Sequence, residues 1–349
     1  MATMAEVAAR AGVGIGTVSR VLSGSPNVSA RTRAKVLEAV ESVGYQRARR
    51  RADGHRSTGL IGVLVPFFDE PSTYERLRGI VGRLQPHGFD VVLFNVDSPD
   101  SARARIMEVP RHPLLDGLIV ISLPLRADEG QRLASARFPT VLVDTVHPAL
   151  PSVRIDDREG GRLATDHLIA LGHERIAFVG EPSRNPFGFV SSALREEGFR
   201  SAMADAGLAV DRSQVRHGPH LRAAARQFAT ELLMAPTPPT AIVAASDIQA
   251  IGVLEAAREL SVSVPGHLSV IGYDDIELAS HVGLTTVRQS LQDSGQRGAD
   301  MMLSLVSSRE RNIFSEQIPL ELVVRGTTGQ VPGGRRRTAA MSSRRRAGA

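Results

Sequence analysis

The 349-residue chain has no cysteine and no tryptophan, and aromatic residues make up only 4% of it. Without cysteine, disulfides, thiolate nucleophiles and cysteine-ligated zinc or iron–sulfur centres are excluded. No run of about 18 apolar residues occurs, so no membrane span and no membrane partner are expected. Met1 to Ala11 already carries Glu6 and Arg10 among alanines, so no basic-then-apolar export signal is read there. These absences predict a cytoplasmic protein. Lysine is almost missing too: Lys35 is the only one, and arginine supplies nearly all the positive charge. Apolar residues, at 42%, are ordinary for a globular chain. At about 100–200 residues per domain, the length suggests two or three domains.

The net charge of +5 conceals an asymmetry. Residues 1–58 carry ten basic and four acidic residues, and 327–349 carry six arginines and no acid. Head and tail are therefore +6 each, leaving −7 for the middle. A basic head on an acidic body suits a polyanion at the head, although a basic run is also what a solvated tail shows.

Residues 1–45 read as helical. An amphipathic stretch over 4–11 is broken by Gly12-Val13-Gly14, a short helix follows over about 15–23, and Ser29 caps a third helix that Gly44 stops. Residues 46–58 lack large apolar side chains and read as a linker. From Gly59 apolar runs alternate with amphipathic stretches. Strands are predicted at 60–66, 90–95, 117–121, 140–144, 175–180, 241–245 and 268–273, and helices at 74–85, 160–171, 193–206, 221–234 and 248–260. This is an α/β pattern with mostly parallel sheets, best satisfied by two doubly wound lobes with a ligand at the strand carboxyl ends. The reading is an all-α helix-turn-helix head at 1–45, a linker at 46–58, and a two-lobed body at 59–326. Lobe 1 takes about 59–156 and 291–318, and lobe 2 about 157–290 and 319–326. A disordered basic tail is expected over 327–349.

On a helix starting near Ile15, positions 15, 16, 19 and 20 share one face, while Val18, Val21 and Leu22 share the other. The apolar face can pack on Val7, Ala8 and Ala11. The other offers Thr17, Ser19 and Arg20 beside Ile15 and Gly16, narrow enough for a DNA major groove. Arg20 can pair with guanine in bidentate fashion, and Asn27 and Ser29 can hold a phosphate near the third helix. The Gly12–Gly16 run imitates a dinucleotide-binding loop but lacks the preceding strand and the sixth-position glycine. A small structural helical bundle is the plainer alternative.

The pattern Ala5-Glu6-Val7-Ala8, Ala11-Gly12-Val13, Thr17-Val18-Ser19-Arg20-Val21-Leu22, Asn27-Val28-Ser29 and Gly44-Tyr45 resembles the DNA-binding head of the lactose-repressor (LacI/GalR-type) family. The likeness continues through Asp116-Gly117-Leu118-Ile119, Ser246-Asp247 and Ile271-Gly272-Tyr273-Asp274-Asp275, to about Thr328. It implies a homodimer on a near-palindromic operator, a periplasmic-binding-protein-like body, and an effector in the interlobe cleft. Two departures stand out. Gly16 occupies a position where the family usually reads bases with a polar side chain. Arg47-Ala48 and Gly54 stand where the family has Pro-Asn and a leucine that wedges into the minor groove. Glycine cannot unstack a base step, so Arg47, Arg49, Arg50 and Arg51 are expected to grip phosphates or a narrow minor groove instead.

In the body, polar residues just after strand ends are the cleft candidates: Ser122, Asp144, Ser246, Asp274 and Asp275, with Arg195 opening a helix and His220 preceding one. Each acid alone is more often a helix cap. The resemblance implies that Asp144, Arg195 and Asp274 contact effector, with Ser122, Ser246 and Gln289 secondary and His220 at an often aromatic position. Phe67 and Phe68 follow the first strand at the cleft edge. Carboxylates and arginine suit a neutral sugar, with a nucleoside as the alternative. The resemblance makes a repressor released by its effector the default. A solute-binding protein without DNA function would have no use for residues 1–58. No spaced metal, nucleophile or phosphate-loop motif is present, so neither an enzyme nor a cofactor is expected. The tail has no leucine heptad, which predicts a dimer rather than a tetramer.

Overall fold

The computed structural model describes residues 3–22, 25, 27–45, 49–50, 56–308 and 313–331. Arg47, Arg51, Gly54 and the tail from 332 lie outside the described residues. The chain divides into two compact units, Met1–Gly59 and Leu60–Ala349. No helix among the described residues is long and apolar enough to cross a membrane.

The first unit holds α1 (Met4–Ala11), α2 (Ile15–Leu22) and α3 (Ala30–Val43). Thr3 and Glu6 form a reciprocal capping box at the start of α1, satisfying two amides that helix geometry leaves unpaired. Gly12 ends α1 in the left-handed region at φ 66°, which turns the chain directly into α2. Val7, Ala8, Val18, Val21, Val36 and Ala39 form the core, as the helix periodicity requires. In the linker, β1 (Arg49–Arg50) pairs antiparallel with β2 (Arg56–Ser57).

The second unit contains strands β3 (Leu60–Pro66), β4 (Asp90–Val96), β5 (Gly117–Ile121), β6 (Thr140–Val143), β7 (Ser152–Arg154), β8 (Ile176–Gly180), β9 (Val215–His217), β10 (Ala241–Ala244), β11 (Ser269–Asp274), β12 (Thr285–Arg288), β13 (Ser315–Gln317) and β14 (Glu321–Val323). Its helices are α4 (Pro71–Leu84), α5 (Pro99–Glu108), α6 (Ala127–Ala134), α7 (Asp157–Ala170), α8 (Ser191–Asp205), α9 (Arg222–Leu233), α10 (Asp247–Glu259), α11 (Glu277–His281) and α12 (Leu291–Ser307). The strands form two six-stranded sheets, ordered β13-β7-β6-β5-β3-β4 and β14-β12-β11-β10-β8-β9. All pairings are parallel except that of β14 with β12. The chain therefore passes from lobe 1 to lobe 2 after β7, returns after β12, and crosses again after β13. In each sheet the order reverses beside the first strand, which opens a crevice at the carboxyl ends.

The strands expected from apolar runs are all present, with ends shifted by no more than one residue. The four-residue strand β12 and the three-residue strands β7, β9, β13 and β14 were not expected. Such short segments show no periodicity of their own and become strands only because a neighbouring strand accepts them.

The expectation of disorder from 327 needs correction. Thr327 is buried; its Oγ1 donates to the Val270 carbonyl (2.7 Å) and accepts from the Thr285 amide (2.8 Å). Next to it, Thr328 Oγ1 lies 2.9 Å from His167 Nε2, and the Gly329 carbonyl 3.0 Å from His173 Nε2. The polar composition of this segment concealed its role: it satisfies buried groups on lobe 2. Burial lowers the pKa of both histidines, favouring their neutral forms.

Close helix crossings fix the lobes. A Cβ on Gly161 of α7 would lie 2.0 Å from the Arg195 carbonyl oxygen of α8, so only glycine permits this approach. Gly161→Val should therefore lower stability at or beyond the upper end of the ~1–3 kcal/mol typical of overpacking. Urea unfolding with an unchanged m-value checks this, and a wild-type midpoint would refute it.

Candidate functional site

On α2 the side chains divide as their spacing requires. Val18 and Val21 are buried, whereas Ile15, Gly16, Ser19 and Arg20 are exposed and Thr17 is half-buried. Arg20 Nε donates to the Gly16 carbonyl (3.2 Å), which holds its stem along the exposed face. A Cβ on Gly16 would meet nothing within 4 Å, so packing does not demand glycine there. Ser29 Oγ accepts from the Thr32 amide (3.2 Å), capping α3, and Asn27 beside it is exposed. Arg33 Nη2 donates to the Ser25 carbonyl (2.6 Å) and ties α3 to the loop after α2.

The second site is a cleft of about 1110 Å³ between the two lobes of the body. Several residues at strand carboxyl ends have positive φ: Phe67 after β3, Ser122 after β5, Asp144 after β6 and Asp274 at the end of β11. A positive φ is uncommon for residues other than glycine and recurs at ligand-binding sites. All four line the cleft.

A polar relay crosses it. Ser122 Oγ donates to Asp144 Oδ2 (2.7 Å), and Arg76 Nη2 lies 3.0 Å from the same oxygen. Arg76 Nη2 also donates to Gln289 Oε1 (2.7 Å), and Gln289 Nε2 donates to Asp274 Oδ1. Arg195 Nη1 lies 3.8 Å from Asp274 Oδ1 and donates to the Ala245 carbonyl (2.6 Å), while its Nε donates to Asp157 Oδ1 (2.8 Å). The guanidinium sits 3.7 Å from the Tyr273 ring centroid, a cation–π contact. Burial raises the pKa of Asp274 and Asp157, while Arg195 opposes the rise at both. His220 lies 3.7 Å from Glu181 and 3.9 Å from Glu70, the latter on the opposite lobe. Burial opposes charge on His220, but Glu181, Glu70 and Asp274 outweigh it and raise its pKa.

Of the residues singled out from sequence, Ser122, Asp144, Arg195, His220, Asp274 and Gln289 line the cleft. Two do not. Ser246 is buried and caps α10, its Oγ accepting from the Gln249 amide (3.3 Å); Gln249 reaches the cleft instead. Phe68 is exposed, its amide tied to Asn95 Oδ1 (3.1 Å), while the strained turn sends Phe67 to the cleft. Asp275 pairs with Arg288 and Arg325 away from it. Sequence reasoning missed Arg76, one arginine among several on α4, and the aromatic pair Phe187 and Phe189. The Phe-Gly-Phe run was a usable signal in a chain so poor in aromatics.

Residues 3–48 match the model for bacterial regulatory proteins, lacI family, and residues 165–328 the periplasmic binding protein-like domain. The HTH-type transcriptional regulator MalR of Streptomyces coelicolor is 34% identical over 96% of this chain and 98% of its own length. The chain belongs to the LacI family. It is a DNA-binding transcriptional regulator and not an enzyme. Among solved structures, the transcriptional regulator CelR in complex with cellobiose is 30% identical, covering 94% of this chain and 100% of that one, with a TM-score of 0.68. The lac repressor dimer bound to operator and the anti-inducer ONPF is 28% identical, covering 94% and 99%, with a TM-score of 0.73.

Proposed function

We propose that this LacI-family regulator is a homodimeric repressor that leaves its operator when a sugar closes the interlobe cleft. The relay through Asp144, Arg76, Gln289, Asp274 and Arg195 carries the reading. It draws groups from both lobes and keeps carboxylate and guanidinium edges at the cavity, where vicinal hydroxyls find paired donors and acceptors. Cellobiose in the CelR relative and the operator-bound dimer of the lac repressor support it. The head at 1–45 reads DNA through Ile15, Gly16, Thr17, Ser19 and Arg20, with Asn27, Ser29 and the linker arginines Arg49 and Arg50 on phosphates. Closure regulates binding only because effector has different affinities for the closed and open states.

The test combines thermal stabilisation with gel retardation. A sugar at about 100 times its dissociation constant should add about 2.7 kcal/mol of stability and weaken binding to the chain's own upstream DNA. Pentoses, hexoses, disaccharides and nucleosides form the panel. Stabilisation by nucleosides alone would overturn the sugar reading, and no salt-sensitive retardation would overturn the operator reading.

A further inference from the structure

The polar relay leaves a second cluster in the cleft unused: Glu70, Glu181 and His220. Glu70 stands at the start of α4 in lobe 1, but its carboxylate makes no cap hydrogen bond with that helix. It turns instead to His220 of lobe 2, whose Nε2 lies 3.9 Å from Glu70 Oε2. His220 Nδ1 lies 3.7 Å from Glu181 Oε2, on its own lobe. One ring nitrogen thus faces a carboxylate of each lobe. The lobe 2 pair is held by the backbone. The Glu181 amide donates to Ser192 Oγ (2.8 Å), and the Gly218 amide donates to the Gly180 carbonyl (3.0 Å), joining the segments that carry Glu181 and His220. Asp274, at the end of β11, also bears on His220, and Asp69 adjoins Glu70. Arg184 of the β8–α8 loop lines the cleft too, but an arginine keeps its charge across the histidine range. Arg222, two residues beyond His220, pairs with Glu255 of α10 (3.1 Å) and does not line the cleft.

A neutral imidazole carries one N–H and an imidazolium carries two, so only the cation can offer a donor to both carboxylates. We propose that His220 is a proton-dependent clasp on the effector cleft: protonated, it joins Glu70 of lobe 1 to Glu181 of lobe 2 and favours closure, and neutral, it leaves two carboxylates facing each other and favours opening. This rests on the cleft closure of the reading above and not on which sugar binds. When the lobes part, Glu70 leaves with lobe 1, whereas Glu181 and Asp274 stay with His220. The closed state therefore holds the proton more tightly than the open one. In the present arrangement burial opposes the charge, and the three carboxylates outweigh it and raise the pKa. A group whose pKa is higher in the closed state favours closure fully below its open-state value. That advantage is lost as the pH rises through the closed-state value. A ligand that prefers the closed state must gain affinity over the same range as the pH falls. Toward acid the clasp has a second limit. Burial raises the pKa of Glu70, with Asp69, Glu181 and Asp274 adding to the rise and His220 opposing it, so protonation of Glu70 ends closure on that side.

The experiment measures the distance between the lobes in the full chain without ligand. The chain has no cysteine, so Gln131→Cys on α6 of lobe 1 and Ala223→Cys on α9 of lobe 2, both exposed, accept one spin label each. Labelled chain is diluted into excess unlabelled chain, so that distances within one chain dominate. The ratio of short to long distances should fall about fivefold from about pH 6.5 to about pH 8.5, as a one-unit difference in His220 pKa between closed and open states gives. Glu70→Gln and His220→Gln, each made separately, should abolish that change and leave the long distance predominant at both pH values. A ratio in the wild type that does not change with pH would overturn the clasp. So would a wild-type response in either variant. Because no ligand is present, a result against the clasp leaves the sugar reading standing, and failure of every sugar to bind leaves these distances unchanged.

Discussion

Arg20→Ala should cost each recognition helix about 1–3 kcal/mol of discrimination between operator and unrelated DNA, roughly 10–100-fold, and leave nonspecific binding nearly intact. Gly16 contributes no side chain, Ile15 can contact only thymine methyls, and Thr17 is half-buried, so Arg20 is the strongest base reader the exposed face of α2 has. Glycine at 16 is not forced by packing. The weak polar readout proposed for α2 would therefore follow from the residues on its surface and not from a packing requirement at Gly16. Binding isotherms on operator and scrambled duplexes, each across a salt series, separate the two contributions. The variant's two isotherms should converge, while its salt slope changes by no more than about one released counterion. An Arg20→Ala protein that still discriminates as the wild type does would place the readout elsewhere, in the linker arginines.

Arg195→Ala should abolish the response to effector and destabilise the body by about 3–5 kcal/mol, the usual result of removing one partner from a buried ion pair. Arg195 is 8% exposed and holds Asp157, the Ala245 carbonyl and the Tyr273 face together, with Asp274 nearby. Effector affinity should fall on the order of 100-fold. The pH dependence distinguishes this cause from simple cavity formation. Burial already raises the pKa of Asp157 and Asp274, and losing the cation raises both further. A carboxyl with a raised folded-state pKa binds protons more readily when folded, so lowering the pH favours the folded state. The stability gap between variant and wild type should therefore narrow as pH falls from neutrality through the raised values toward the ordinary carboxylate range. Denaturant unfolding at several pH values reads this directly. A gap independent of pH would assign the loss to packing alone.

The head was legible because its information is local. Capping at Ser29, the breaks at Gly12 and Gly44, and the alternation of Val18 and Val21 with Ser19 and Arg20 all lie within one or two helical turns. The strands of the body were legible for a related reason: strands covered on both faces are continuous apolar runs. Asp144 and Asp274 could be nominated because they end such runs.

Other features had no local signature. Arg76 resembles the surface arginines of its own helix, and only the fold brings it to Gln289, 213 positions away. Ser246 and Ser122 both follow strands, yet one oxygen turns back to cap α10 and the other reaches Asp144, a choice made by backbone geometry. Thr327 looks like the start of a polar tail until Val270 and Thr285 present it with a buried carbonyl and amide. Periodicity and capping thus determined from sequence alone that there is a helical head, a two-lobed parallel-sheet body and acidic groups at its strand ends. Tertiary structure alone decided which polar groups face the cleft, because a buried donor or acceptor must find its partner wherever the chain returns to it, and that distance is not written in any window of residues.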